Sequence, residues 1–409
     1  MLSFFKPFAG GALVCPTCGT FGYTSTSVAA ALSVLAAIKA RHRRVPSSSD
    51  LVMFSSTLRS TLIALCFSAV LVSAASELTL KVTGPEAVTN VDNFKVTTLL
   101  TNSGDETLHL LNDPTSSLIS SDANSFRITN SKGASPAFNG AVFKFSPAVA
   151  AKMNTPDVIT VIPPGQSIKV EHDLSSAYNF TSSGEDVYDI EASNKFFVVD
   201  PATLDVTQIH AKQESSHQAK LSGTLSIARR TTKLAKRAGF NGCSDDQQSN
   251  ITSAIPAALT YASDARDYLG NHTYSTPRYT QWFGTYNTAR HSTILTHFTN
   301  MAGHGYNDYT YDCTCPGNLP PGTFAYVYAE DISTMYLCDG FWQAANTGED
   351  SRAGTLVHES SHYAQLAGTV DEAYGHTNCE NLARYFPDLA AANADSHEYF
   401  VENVNPTLD

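Results

Sequence analysis

The pattern His358-Glu359-Ser360-Ser361-His362 is the strongest chemical signal in the chain. On a helix, residues four apart project from one face, so the two imidazoles can hold one Zn2+. The glutamate one step along can reach a water at that metal and serve as its general base. Two histidines leave a catalytic zinc site incomplete, because such sites take three protein ligands and keep one position open. A third histidine six residues after His362 would complete one arrangement, but that position is Gly368. A glutamate on a later helix would complete another, and Glu398 and Glu402 are available. Asp371 is nearer, within Gly368-Thr369-Val370-Asp371-Glu372-Ala373-Tyr374-Gly375. Glycines at both ends of that segment permit the chain to turn back toward the metal.

A helix must hold these residues in register. Thr347-Gly348-Glu349-Asp350 supplies a turn and an N-cap, and Ala353, Leu356, Val357, Ala364 and Leu366 supply apolar positions. Together they predict a helix over 350–366. Further helical patterns run over 244–269, where Pro256 predicts a kink or division, and over 277–301, with a break near Tyr286. Residues 387–401 read as helix again. Between them, Thr323 to Tyr328 and Thr334 to Cys338 are rich in aromatic and β-branched residues and predict a small antiparallel β element. The C-terminal part thus reads as mainly α, of α+β class.

The whole chain has 409 residues, 42% of them hydrophobic, and a formal net charge of −12. That length suits two or three domains at about 150 residues each. The composition excludes a disordered chain, and the acidity argues against a nucleic-acid partner. The charge is unevenly divided. Residues 239–409 carry 20 acidic and 5 basic side chains, a net of −15, and the first 238 residues carry +3. All 13 lysines lie at or before Lys236.

Residues 1–52 form an N-terminal extension of uncertain role, with an alanine-rich run, a basic cluster at Arg41–Arg44 and a Cys15-x-x-Cys18 pair that lacks a second ligand pair for zinc. Residues 53–74 read as a signal peptide: Arg59 is the positive n-region, Thr61 to Val72 the apolar stretch, and Val72-Ser73-Ala74 the cleavage pattern. The product is therefore expected to be secreted, with no membrane attachment after signal removal. Residues 75–237 hold many short alternating strands, among them Phe143-Lys144-Phe145, separated by Gly, Pro, Asn and Ser clusters. That spacing suggests a β-sandwich-like domain. It has no cysteine and no clustered metal ligands, so no chemistry is assigned to it. Arg229-Arg230 and Lys236-Arg237 are dibasic pairs, and the charge switch falls at the second. Cleavage there makes 75–237 a pro-domain and 238–409 the product. Sequons at Asn179, Asn250 and Asn271 agree with secretion. Cys243, Cys313, Cys315, Cys338 and Cys379 read as two bridges and one leftover thiol, with a Cys-x-Cys zinc site as the competing idea.

H-E-x-x-H followed by G-T-x-D-x-x-Y-G resembles the aspzincin metalloproteases, the deuterolysin family. The stretch Ala353 to His362 is most similar to the secreted fungal peptidyl-Lys metalloendopeptidases of that family. The likeness spans the product, through Asn241-Gly242-Cys243, Thr276-Pro277-Arg278-Tyr279, Trp282-Phe283-Gly284, Asp312-Cys313-Thr314-Cys315, Phe324 to Tyr328 and Asn393-Ala394-Asp395.

The resemblance implies a zincin-type domain in residues 238–409, with one Zn2+ on His358, His362 and Asp371. It makes Glu359 the general base for Glu-assisted attack of a zinc-activated water, and Tyr374 the hydrogen-bond donor to the oxyanion. It places selectivity for lysine after the scissile bond on Asp395 and Glu398, which share a helix face at a spacing of three. Two carboxylates there would neutralise an ammonium, and a narrow pocket would exclude the larger, planar Arg. The intervening His397 either disturbs this pair or points away. The resemblance also implies disulfides Cys243–Cys313 and Cys315–Cys338, leaving Cys379 unpaired. The implied partners are lysine-containing proteins and peptides and the chain's own pro-domain, with a monomeric product. An enzyme that cuts before lysine and contains none spares itself. Two other readings stand beside this one: a broader deuterolysin-like protease, and a secreted zinc-binding module without catalysis. The intact Glu359 and Tyr374 weigh against the second.

Overall fold

Alternating burial along Lys95–Asn102, beside the largely buried Leu78–Thr83, builds the first layer of the N-terminal domain. In a computed structural model, residues 78–153, 155–226, 239–404 and 407–409 are described. The N-terminal extension, the signal peptide and both dibasic pairs, including Lys236-Arg237, lie outside the described residues. The first sheet has the order 212–215, 78–83, 95–102, 167–173, and the second the order 87–89, 217–222, 186–192, 126–130. Leu80, Val82, Val96 and Leu100 from the first sheet share one core with Ile128, Tyr188, Ile190 and Leu221 from the second. Period-two alternation aims every other side chain inward, which is what the sequence pattern anticipates. A third four-stranded sheet, 206–210, 195–199, 108–111 and 159–162, completes the strand-rich region.

The C-terminal domain is helical around a sheet. Its long helix, Asp245–Asn271, begins with a capping box between Ser244 and Gln247. Pro256 lies inside it without dividing it into two elements. Its buried face is Ile251, Ala254, Ile255, Ala258, Ala262, Ala265 and Leu269, and the small alanines let neighbouring helices come close. The expected break near Tyr286 separates Pro277–Phe283 from Thr288–His304. It falls at Gly284, where φ is 71° and an added Cβ would strike the Ala383 carbonyl. The motif helix spans Arg352–His362, shorter than 350–366, and is capped by Ser351 Oγ accepting from Gly354 N at 2.9 Å. The helix expected over 387–401 is two, Pro387–Ala390 and Ala394–Glu402 (the terminal helix). They part where Asn393 bridges to Val370. His376–Tyr385 is an additional helix that the sequence pattern did not reveal.

The sheet differs from the small antiparallel element expected. Its order is 239–241, 310–312, 334–337, 323–328, 141–145. The first three strands run parallel, and only the last two pairings are antiparallel. The fifth strand, Ala141–Phe145, comes from the N-terminal domain. Parallel neighbours lie far apart in sequence, so no local pattern announces them. Cys243–Cys313 and Cys315–Cys338 are joined, and Cys379 is buried and free.

Candidate metal centre and lysine pocket

The motif helix presents His358 and His362 on one buried face, both fully inaccessible. After it, the backbone turns at Gly368, with φ 64°, and returns Asp371 to the same point. Asn393 fixes that return, its Oδ1 accepting from the backbone N–H of Glu372 and Ala373, each at 3.0 Å. Asp371 Oδ1 lies 3.3 Å from His358 Nε2 and 3.4 Å from His362 Nε2. Ligands about 2.0–2.1 Å from a tetrahedral Zn2+ stand about 3.3 Å from one another, so this spacing fits zinc. These three atoms are buried and form no hydrogen bond, as donors converging on a metal should be.

The outer nitrogens set the tautomers. His362 Nδ1 donates to the Thr369 carbonyl at 2.9 Å, and His358 Nδ1 faces Asp395 Oδ1 at 2.9 Å and Glu398 Oε2 at 3.1 Å. Both rings therefore turn an Nε2 lone pair inward. Burial pushes His362 down to about 4, which favours the neutral imidazole a metal requires. Burial also drives Glu359 well above the usual carboxylate range.

Lys144, on the inserted strand, has no exposed surface. Its Nζ lies 2.9 Å from Asp350 Oδ1, 3.1 Å from Asp395 Oδ1 and 2.8 Å from Glu398 Oε2. Burial works against its charge, but the three carboxylates outweigh burial and hold the ammonium protonated, well above the usual lysine range. His358, Asp395 and Glu398 are close enough to suggest a second metal site, yet the ammonium occupies the space between the carboxylates. The same strand meets the rest of the site through its backbone. Phe143 N donates to Asp371 Oδ2 at 3.1 Å, and Lys144 N donates to Glu359 Oε1 at 3.0 Å. Tyr374 Oη donates to the Phe143 carbonyl at 2.7 Å.

All seven residues singled out in the sequence (His358, Glu359, His362, Asp371, Tyr374, Asp395 and Glu398) thus surround one point. His397 turns the other way, toward His297 at 3.0 Å. Glu402, a ligand alternative in the sequence, instead accepts from the backbone N–H of Asp350 and Ser351 and anchors the turn before the motif helix. Glu398 likewise sits behind His358 rather than beside the other two ligands. Asp350 and Lys144 were missed. In the sequence Asp350 reads only as part of an N-cap turn, and the Phe-Lys-Phe run reads as any alternating strand. By period-two alternation Phe143 and Phe145 share one face and Lys144 takes the other, so nothing in the run itself marks the lysine as buried. Asn179 is half-buried in the N-terminal domain, and Asn250 and Asn271 lie on the long helix.

Residues 268–402 match the family described as lysine-specific metallo-endopeptidase, aspzincin. The chain is 50% identical to a peptidyl-Lys metalloendopeptidase of Grifola frondosa, over 87% of this chain and 99% of that protein. It is 48% identical to one of Armillaria mellea, with the same coverage on both sides. An extracellular protease of Aeromonas hydrophila is 33% identical over 85% of this chain and 99% of its own length. With the metal centre, the acidic pocket and these likenesses together, the chain belongs to the aspzincin family of lysine-specific metallo-endopeptidases.

Proposed function

We propose that this protein is a secreted zinc endopeptidase that hydrolyses peptide bonds on the N-terminal side of lysine. One observation carries the reading. A lysine side chain sits in the three-carboxylate pocket while its own N–H meets Glu359 and the preceding carbonyl meets Tyr374. The bond between those two groups is the one before lysine.

His358, His362 and Asp371 would hold one zinc, and bound zinc supplies polarisation of the carbonyl and a lowered water pKa. Glu359 takes the proton of the attacking water and passes it to the departing amine, to which its Oε1 already lies within hydrogen-bond distance. Tyr374 donates to the carbonyl oxygen as negative charge develops there. Asp350, Asp395 and Glu398 neutralise the ammonium and fix the register of the cut. The broader-specificity alternative finds little support, because keeping the buried Asp395 and Glu398 carboxylates beside Asp350 without a cation would be costly. Residues 53–74 as signal peptide, cleavage after Lys236-Arg237, glycosylation at Asn179, Asn250 and Asn271 and a monomeric 238–409 product complete the reading. The name of the Aeromonas relative, an extracellular protease, supports secretion.

The test is cleavage of a denatured, lysine-rich protein by the processed product, read by mass spectrometry. New N-termini at lysine, abolished by a chelator and by Glu359→Gln, are expected. Frequent cuts elsewhere refute the lysine assignment, and unchanged cleavage by Glu359→Gln refutes the mechanism.

A further inference from the structure

The sequence of the N-terminal domain offers no cysteine and no clustered metal ligands, yet the domain reaches into the site. Its strand Ala141–Phe145 adds to the edge of the C-terminal sheet, antiparallel to Thr323–Tyr328, pairing Phe143 with Tyr326 and Val142 with Val327. Strand addition to a sheet edge is a common way to hold an extended peptide, with the backbone giving affinity and side-chain pockets giving selectivity. Here the pocket selects Lys144. Resting on the function proposed above, we propose that Ala141–Phe145 is a built-in substrate mimic that keeps the unprocessed chain inactive by holding Lys144 in the lysine pocket and the Phe143–Lys144 bond at the cutting position.

Four observations carry this. The Lys144 ammonium takes all three pocket carboxylates, leaving none for a substrate lysine. The Lys144 N–H and the Phe143 carbonyl take Glu359 and Tyr374, the groups a substrate bond would need. The Phe143 N–H reaches Asp371 Oδ2, at the metal centre itself. Finally, the strand is clasped on both sides of its central bond. Phe143 packs on Tyr326, with ring centroids 5.5 Å apart. Phe145 is buried with Ala150, Ala151 and Phe197 of its own domain and with Tyr374. Ser146 Oγ donates to Asp350 Oδ2 at 2.9 Å, and Lys195 Nζ donates to the Glu372 carbonyl at 2.8 Å. Two ends anchored in this way would stay in place even across a cut bond, so the strand obstructs the cleft rather than passing through it.

The experiment uses the full chain with Lys236 and Arg237, and Arg229 and Arg230, changed to serine to block processing. Turnover of a short fluorogenic peptide containing one Xaa-Lys bond is compared among three proteins: this chain, the same chain with Lys144→Glu, and the processed product. The unprocessed Lys144 chain is expected to be at least tenfold slower than the product, and Lys144→Glu to recover most of the difference. Equal activity of the unprocessed Lys144 chain and the product overturns the proposal. So does a Lys144→Glu chain that is folded and as slow as its parent, because the domain would then block the cleft without needing the lysine. Folding is checked on a processable Lys144→Glu chain, which releases the same 238–409 product and must yield full activity. If it does not, Lys144→Met, which keeps the apolar stem, replaces it. Failure of the processed wild-type product to cut before lysine would instead strike the functional reading, and the two failures are distinguishable.

Discussion

Asp350→Asn separates recognition of the ammonium from support of the metal. Asp350 touches the Lys144 ammonium at 2.9 Å but no metal ligand, whereas Asp395 and Glu398 contact both the ammonium and His358. Asparagine preserves the shape and tolerates the left-handed backbone at this position, where φ is 49°. It removes the carboxylate charge from a hydrogen bond of a kind worth about 1.5–3 kcal/mol. The Asp350 side chain retains 14% exposure, against none for Asp395 and Glu398, so solvent screening places the loss at the lower end. About 1.5–2 kcal/mol is roughly a 10- to 30-fold fall in kcat/KM for a lysine peptide. A peptide with norleucine at that position lacks the ammonium and should react with Asp350→Asn at the parent rate. Zinc affinity, measured by competition with a chelating dye, should change less than about twofold, whereas Asp395→Asn should weaken it by about 10- to 100-fold through His358. Equal losses for lysine and norleucine, or a fall in zinc affinity with Asp350→Asn, would refute the division of labour argued here.

Tyr374→Phe removes the donor to the scissile carbonyl and should lower kcat by about 10²–10³ with KM little changed; a kcat within threefold of the parent would remove Tyr374 from the chemistry. Gly354→Ala would place a methyl against the Glu402 carboxylate that anchors Ser351. It should cost about 1–3 kcal/mol, read as a lower midpoint in a thermal melt, and an unchanged melt would show that Glu402 yields freely.

The metal centre was legible because its ligands follow short-range rules: two histidines one helical turn apart, and an aspartate returned by a glycine turn. The pair Asp395 and Glu398 rests on the family resemblance; their place one turn apart on the terminal helix agrees with it but would not by itself single them out among the acidic residues. Asp350 was not legible, because it is one of 20 acidic residues after position 238 and reaches the pocket only through an anchored turn. The parallel strands 239–241 and 310–312 and the insertion of 141–145 depend on pairings between distant segments. The helix His376–Tyr385 has no legible pattern because it buries only Cys379 and Ala383 on an otherwise polar sequence. Residues 387–401 read as one helix because alanines run through the joint, and the interruption is imposed from outside by Asn393 holding Val370 and the loop that carries Asp371.

The strand Thr323–Tyr328 has a partner on its outer side only while the N-terminal domain is present. Were that domain removed by the proposed processing, a six-residue run of mostly aromatic and β-branched residues would lie at an open sheet edge, the form of surface on which identical chains template one another. No lysine guards it, since the product contains none. The net charge of −15 on residues 239–409 would then have a colloidal duty, holding like molecules apart while the edge waits for a peptide. Salt that shortens the reach of that repulsion should bring released domains together, and a bound peptide should keep them separate.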